Sequence, residues 1–356
     1  MSALPPGSTI GILGGGQLGK MMAMAAAQMG YRCHIYAPEP VSVAAEVSAH
    51  FTCAAYDDVE ALTAFAKSCD VVTYEFENVP VAPLHSIETL VPIRPGIRAL
   101  EIAQDRVEEK LFAIGLGGRT APFEIVGDRQ EASPALEKVG FPAILKTIRM
   151  GYDGKGQIRV AEPGQISEAW HQLGRQPSIV EAVVNFDAEF SVILVRNTAG
   201  DIRYWDSPRN RHEGGILSQS TLPAGPLIES QVGVARALAA AAAEKLDFVG
   251  VMTMEFFATA DGPLFNEMAP RVHNSGHWTI EGAATSQFEN HIRAVCNLPL
   301  GATELVAERV EMANLIGADA DRWPMLFADN DAHVHLYGKG QASPGRKMGH
   351  VTRLYR

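Results

Sequence analysis

Residues 250–268 read Gly250-Val251-Met252-Thr253-Met254-Glu255-Phe256-Phe257-Ala258-Thr259-Ala260-Asp261-Gly262-Pro263-Leu264-Phe265-Asn266-Glu267-Met268. Two apolar runs, 249–257 and 264–268, flank Thr259-Ala260-Asp261-Gly262, a tetrad with the composition of a hairpin turn. Each run carries one acid in apolar surroundings, Glu255 and Glu267. A carboxylate on a buried strand is costly unless it is paired or metal-bound. A tight turn makes the two strands neighbours, so both carboxylates share one face. Asn266 points away from them in a regular pleat and joins them in an irregular one. Two hard oxygen ligands suit Mg²⁺, which keeps several waters and bridges phosphate oxygens. Its charge would offset that developing on a transferred phosphoryl group. The competing reading is a solvated strand face with both acids paired to lysine or arginine; the close apolar flanks favour the metal.

Upstream, residues 141–147 form an apolar strand interrupted by Lys146. A lysine in such a run needs a partner. Gly151-Tyr152-Asp153-Gly154-Lys155-Gly156-Gln157 follows, leading into a strand over 157–160. Between antiparallel strands such a loop either folds its N–H groups over phosphates or is an ordinary hairpin loop with a solvated Lys155. It is not a Walker loop, since no Gly-Lys-Ser/Thr opens a helix. Further strands are expected over 178–184 and 189–195, and a long helix over 231–246.

The first hundred residues alternate strand and helix signals: strands at 9–13, 32–36 and 71–76, and a helix at 20–29 rich in alanine and methionine. This βαβ pattern implies a parallel, doubly wound, Rossmann-like sheet. Gly14, Gly16 and Gly19 form G-x-G-x-x-G between the first strand and that helix. The turn either presents N–H groups to a phosphate or merely permits close helix–strand packing. A dinucleotide site puts an acid at the end of the second strand. Here that strand ends Ile35-Tyr36-Ala37-Pro38, with Glu39 beyond the proline, which weakens an NAD reading.

A chain of 356 residues exceeds one ordinary core, so two or three units are expected. The net charge of −11 excludes nucleic acid as a main partner, because phosphate neutralisation needs a basic face. Cys33, Cys53, Cys69 and Cys296 lack metal-ligand spacing and read as buried free thiols. The N-terminal residues carry no basic-then-apolar signal, and no apolar run reaches membrane-spanning length. A cytoplasmic protein without a membrane partner is expected. The charged helix at 105–114 marks one boundary and residues 299–301 a second. The expected units are therefore 1–105, 106–298 (with halves 106–185 and 186–298) and 299–356.

Three features in this order resemble the ATP-grasp superfamily: Lys146 with its glycine loop, Glu181-Ala182-Val183-Val184, and Glu255 with Asn266-Glu267. The run Glu267-Met268-Ala269-Pro270-Arg271-Val272-His273-Asn274-Ser275-Gly276-His277-Trp278-Thr279 is similar to the signature of the 5-(carboxyamino)imidazole ribonucleotide synthase family. Gly14-Gly15-Gly16-Gln17-Leu18-Gly19 and Gly345-Arg346-Lys347-Met348-Gly349-His350 resemble its two ends. The one departure is that this chain stops at Arg356, where family members often add a helix; an effect on subunit contacts rather than chemistry is expected.

The resemblance implies an α/β and α+β protein: a Rossmann-like first domain, a central ATP-grasp fold of two α+β subdomains (a mobile lid half and a metal-binding half), and a small β-rich C-terminal subdomain. It implies a Mg²⁺-ATP-dependent ligase, usually a homodimer, that carboxylates 5-aminoimidazole ribonucleotide through carboxyphosphate made from bicarbonate. On this likeness ATP is held by Arg106, Lys146, the loop Gly151 to Gln157, the hinge Glu181 to Val184, Glu189, His212, Asn266 and Glu267, with Glu255 and Glu267 on the metal. Arg271 would bind bicarbonate and carboxyphosphate through its planar fork, with His273 donating or shuttling a proton. Tyr152 and Asp153 ride on the closing loop, Asp153 as general base. Gly16, Gln17, Leu18, Lys339 and Arg346 would hold the ribonucleotide's phosphate, with Asn274 and Ser275 nearby. Glu75 or its rival Glu77 would face the imidazole. The enzyme alternative is a formate-dependent glycinamide ribonucleotide transformylase, and the non-enzyme alternative a nucleotide-binding regulator.

Overall fold

The structure, a computed structural model, describes residues 2–151 and 156–356. The chain opens with β1 (Thr9–Leu13), α1 (Gln17–Gln28), β2 (Arg32–Ala37), β3 (His50–Cys53), α2 (Val59–Lys67) and β4 (Val71–Tyr74). These strands form a parallel sheet in the order β3-β2-β1-β4, as the βαβ signals predict. The fourth strand ends at Tyr74 rather than 76, because Glu75 turns back to the glycine turn: its amide donates to the Leu13 carbonyl. Two short helices, α3 (Val81–Leu84) and α4 (Ile97–Ala103), lead to α5 (Arg106–Gly115), where Asp105 caps the helix by accepting from the Val107 and Glu108 amides.

A second unit follows with its own core. It contains β5 (Phe123–Val126), α6 (Arg129–Val139), β6 (Ala143–Thr147), β7 (Gln157–Val160), α7 (Ile166–Gln172) and β8 (Ser178–Ala182). Its antiparallel sheet runs β5-β8-β6-β7, and Leu136, Leu145, Trp170 and Val180 pack beneath it. The remaining strands are β9 (Ala188–Arg196), β10 (Ile202–Tyr204), β11 (Arg209–Glu213) and β12 (Ile216–Leu222). After the 20-residue α8 (Pro226–Lys245) come β13 (Gly250–Thr259), β14 (Gly262–Ala269), α9 (Thr279–Gly282) and α10 (Gln287–Val295). The chain ends with β15 (Arg309–Ile316), α11 (Trp323–Ala328), β16 (Ala332–Leu336) and β17 (Lys347–Tyr355). The C-terminal segment is β-rich and continuous with the centre: β15 pairs with β12, giving one large sheet in the order β14-β13-β9-β11-β12-β15-β17-β16.

The first domain shares a core with the unit that carries β13 and α10. Met22 and Ala26 of α1 belong to one apolar cluster with Phe288 and Ile292 of α10 and Val251 of β13. Inside that seam His291 is fully buried, accepts from the Val251 amide at 3.1 Å through Nδ1 and meets Thr73 Oγ1 at 2.8 Å through Nε2. With Nδ1 accepting, the proton of the neutral ring sits on Nε2 and donates to Thr73, tying β4 to β13. Burial lowers the His291 pKa from 6.5 to about 3. The folded value lies below the unfolded one. This contribution to stability is therefore complete above pH 6.5 and is lost between 6.5 and about 3, as the unfolded chain takes a proton that the fold refuses. The slope is about 1.4 kcal/mol per pH unit. Melting temperature followed from about pH 7.5 to about pH 5.5 should fall less steeply in His291→Gln than in the parent, by about one proton's worth of linkage.

All four cysteines are free, in line with the sequence. Cys33 and Cys296 are buried, but Cys53 is exposed, since it ends the edge strand β3. Among the described residues no helix is long and apolar enough to cross a membrane.

Candidate active site

The hairpin forms as the sequence predicts, with Glu255 of β13 directly opposite Glu267 of β14. The register then slips, so that Phe256 faces Phe265 and Asn266 is the extra residue of a bulge. The pleat is thus irregular, and Asn266 lines the same cavity of about 820 Å³ as the two acids. Burial and the facing Glu267 carboxylate push Glu255 up to about 7. A cation between the two would offset that repulsion, and this donor set fits Mg²⁺. Among the described residues no three His, Cys, Asp or Glu side chains converge as a ready cage. A phosphate-bridged Mg²⁺ needs only one or two carboxylates. Arg106 Nη1 lies 3.7 Å from Glu267 and reaches the cavity from the first turn of α5.

Lys146, on β6, lines the same cavity and has the partner its apolar surroundings demand: Nζ donates to Glu181 Oε2 at 2.9 Å. Glu181 Oε1 lies 3.4 Å from Nζ of Lys110, itself only 2 % exposed. Burial opposes ionisation of Glu181, but Lys146 and Lys110 outweigh it and bring its pKa below the usual range. Burial lowers the Lys146 pKa, with Lys110 and Arg106 adding to the effect. The Glu181 side chain therefore serves this ion cluster and does not line the cavity. The Ala182 and Val183 amides donate to the Pro122 and Pro142 carbonyls, so they are not free to read a base edge. Gly151 and Gln157 line the cavity where the glycine loop leaves and rejoins the sheet, whereas Gly156 does not. At Gly156 (φ +71°) a Cβ would meet Thr147 Oγ1 at 2.7 Å. Tyr152, Asp153, Gly154 and Lys155 lie outside the described residues.

Glu189 of β9 and His212 of β11 both line the cavity and meet at 2.7 Å. Burial alone would lower the His212 pKa, but the Glu189 hydrogen bond and the Glu255 charge raise it. Arg271 follows β14. Its Nη2 donates to Glu77 Oε2 at 2.7 Å and its Nη1 to the Val272 carbonyl at 3.0 Å. Its buried Nε has no partner among the described residues. His273 Nδ1 accepts from the Ser275 amide at 3.3 Å, which places the ring proton on Nε2, 3.7 Å from Glu255. Burial, then Arg271 and Lys347, hold its pKa well below 6.5, so His273 enters the site as a neutral donor. Asn274 lines the cavity, while Ser275 is fully buried behind His273 and acts through it rather than on a ligand.

A smaller cavity of about 270 Å³ adjoins the first, and Gly16, Gln17, Glu75, Phe76, Lys339 and Arg346 line both. The two chain ends therefore meet as expected: Lys20 of α1 donates to the Tyr337 carbonyl at 3.1 Å and seats the tail against the glycine turn. Leu18 touches only the larger cavity. One expectation needs correcting. The Gly16 amide is not offered to a phosphate, because it donates to Glu75 Oε1 at 2.7 Å. The positive end of α1 attracts this carboxylate. Gly14, at φ +114°, leaves it room, since a Cβ there would lie 2.6 Å from Glu75 Cγ. Burial raises the Glu75 pKa, against the pull of the Gly16 amide and Arg271.

Sequence reasoning missed three residues. Glu109 accepts from the Met268 amide beside the hairpin, and burial with the Glu267 charge pushes it up to about 8. Lys110 falls on the apolar stripe of α5 with Val107 and Ala113, a spacing that could have revealed it. Gln287, at the start of α10, accepts from the His273 amide at 2.9 Å and donates to its carbonyl at 2.6 Å, clamping that residue's backbone.

A small antiparallel unit and a carboxylate hairpin, meeting around one cavity beside a Rossmann-like domain, define an ATP-grasp protein. The ATP-grasp domain model matches residues 111–288, the ribonucleotide synthetase preATP-grasp domain residues 8–104, and the phosphoribosylaminoimidazole carboxylase C-terminal domain residues 311–356. The chain is 47 % identical to N5-carboxyaminoimidazole ribonucleotide synthase of Brucella melitensis biotype 1, over 99 % of this chain and 98 % of that one. It superposes with a TM-score of 0.95 on the Staphylococcus aureus N5-carboxyaminoimidazole synthetase complexed with ADP (35 % identity; 100 % and 95 % covered). The TM-score is 0.90 for the Aspergillus clavatus synthase in complex with ADP and 5-aminoimidazole ribonucleotide (31 %; 98 % and 94 %). The chain belongs to the N5-carboxyaminoimidazole ribonucleotide synthase family of ATP-dependent ligases.

Proposed function

We propose that the chain carboxylates the exocyclic amine of 5-aminoimidazole ribonucleotide, using ATP and bicarbonate, in purine biosynthesis. The observation that carries this reading is the convergence of Glu255, Glu267 and Arg271 on one cavity whose neighbour is rimmed by Lys339 and Arg346. A bicarbonate oxygen attacks the γ-phosphorus, ADP leaves and carboxyphosphate forms. The amine nitrogen then attacks the carboxyl carbon, phosphate leaves, and the nitrogen loses a proton. Glu255 and Glu267 would hold Mg²⁺, which would supply charge neutralisation for the phosphoryl transfer.

The chain's own groups do the rest. Lys146 and Arg106 position the phosphates, with Asn266 and the loop between Gly151 and Gln157, its residues Gly154 and Lys155 included on the family likeness. Glu189, oriented by His212, accepts the ribose hydroxyls. The hinge Glu181, Ala182, Val183 and Val184 borders the adenine, its carbonyls facing the amino edge. Arg271 presents its guanidinium to the carboxyl or phosphoryl oxygens, and the Nε2 proton of His273 donates to the same anion. On the family likeness Asp153 takes the amine proton with Tyr152 beside it, and exclusion of water protects an acyl phosphate that water would hydrolyse. Lys339, Arg346 and Gln17 hold the ribonucleotide's phosphate, with Leu18 beside them. Glu75 takes the imidazole edge, and Asn274, with Ser275 behind it, completes the rim. The protein acts in the cytoplasm as a homodimer.

ADP release from Mg-ATP and bicarbonate should rise strongly on adding 5-aminoimidazole ribonucleotide, with matching loss of its free amine. Turnover only with glycinamide ribonucleotide and formate would move the function to the transformylase, and no turnover with any acceptor would leave a nucleotide-binding regulator.

A further inference from the structure

Glu75, Phe76 and Glu77 follow β4 through a bend that leads into a turn, and each side chain goes to a different place. Glu75 accepts from the Gly16 amide, on the side of Lys339 and Arg346. Glu77 accepts from Arg271, on the side of the carboxylate hairpin. Phe76 lies between them and lines both cavities. It is 40 % exposed, a high value for a phenylalanine in a cleft. One face is taken: Tyr56 stacks on it with centroids 6.1 Å apart and planes 17° apart. Tyr56 in turn leans on Tyr36, and Tyr36 on Phe65, both buried in the first domain's core. The ring is thus braced from behind with its other face open.

On the proposed reaction, the ribonucleotide's phosphate lies by Lys339 and Arg346 while its amine must reach the acyl carbon by Arg271. The planar base has to pass between, where Phe76 is. We propose that Phe76 is the platform on which the imidazole stacks, and so a determinant of selectivity for a ribose 5-phosphate that carries a flat heteroaromatic base. Both flanking carboxylates are tethered, Glu75 by Gly16 and Glu77 by Arg271; Glu75 meets the ring at its edge, and the aromatic face supplies the stacking. Stacking of this kind depends on a π-face and tolerates a larger aromatic side chain.

The inference rests on the ribonucleotide reading above, and the test separates the two. KM for 5-aminoimidazole ribonucleotide and the inhibition constant of ribose 5-phosphate, which has the phosphate and sugar but no base, are measured for the parent, Phe76→Leu and Phe76→Trp. Phe76→Leu should raise the KM about tenfold, leave the ribose 5-phosphate constant within about twofold, and be largely restored in Phe76→Trp. Equal weakening of both ligands would make Phe76 a mere wall of the pocket and overturn the proposal, as would an unchanged KM. If the parent shows no turnover with 5-aminoimidazole ribonucleotide, the underlying reading fails, a result visible before any variant is made.

Discussion

Glu267→Gln should lower kcat about 1,000-fold, roughly 4 kcal/mol of transition-state stabilisation, while leaving the free protein folded. Glutamine keeps the shape of the side chain and removes the charge that a magnesium ion between the two strands would need. The free protein gives an independent reading. Glu267 is among the groups that raise both Glu255 and Glu109, second only to burial in each case. Neutralising it removes that repulsion, so both pKa values should fall. The apparent melting temperature near neutral pH should hold or rise. The gain on adding Mg-ATP behaves oppositely. For a ligand at about 100 times its Kd the parent should gain about 2.7 kcal/mol, and most of this should vanish in the variant. A variant that melts early without ligand would assign Glu267 a structural role and sink the metal reading. A variant that keeps the Mg-ATP gain and loses only turnover would move the metal elsewhere.

The hairpin was legible because two physical rules coincide in it: a tight turn fixes which strands pair, and buried carboxylates need a reason. The bulge at Asn266 was not, because register slips depend on packing across the sheet; here Phe256 meets Phe265 edge-on while Phe190 stacks on Phe256 from β9. Lys146 announced its need for a partner by sitting in an apolar run, but the identity of that partner on β8 comes only from strand pairing. The first glycine turn shows the opposite limit. Its pattern is the same whether the helix N-terminus holds a ligand's phosphate or the chain's own acid, and Glu75 lies 59 residues downstream. No local spacing links the two. The parallel sheet β1-β4 does, because it sets the end of β4 beside the end of β1. In the same way, the meeting of Gln17 with Lys339 and Arg346 could be required by the chemistry yet not located until the tail was seen to dock on α1.

Arg271→Lys should lower kcat/KM for bicarbonate by about 100- to 1,000-fold, roughly 3–4 kcal/mol, with little change in the KM for ATP. Lysine keeps the positive charge, so a loss of this size would mean that the planar fork matters rather than charge alone. The obvious objection is that Arg271 is needed only to neutralise Glu77, its partner at 2.7 Å. If so, Arg271→Lys, whose single ammonium grips Glu77 less well, fails for a structural reason. A double-mutant cycle decides the matter. Glu77→Gln removes the charge to be neutralised. Under the structural account Arg271→Met/Glu77→Gln should recover activity toward that of Glu77→Gln alone. Under the anion-binding account the double variant stays as inactive as Arg271→Met, because nothing replaces the bidentate donor at the reacting carboxyl. Glu77→Gln alone then has the milder effect, since the guanidinium keeps its bond to the Val272 carbonyl at 3.0 Å and loses only one of its tethers. A readout of ADP release without ribonucleotide sharpens the cycle further. Loss of bicarbonate-dependent ADP release places Arg271 at the first step, the making of the acyl phosphate. Its retention with loss of amine consumption places Arg271 at the second, where that acyl group is passed on.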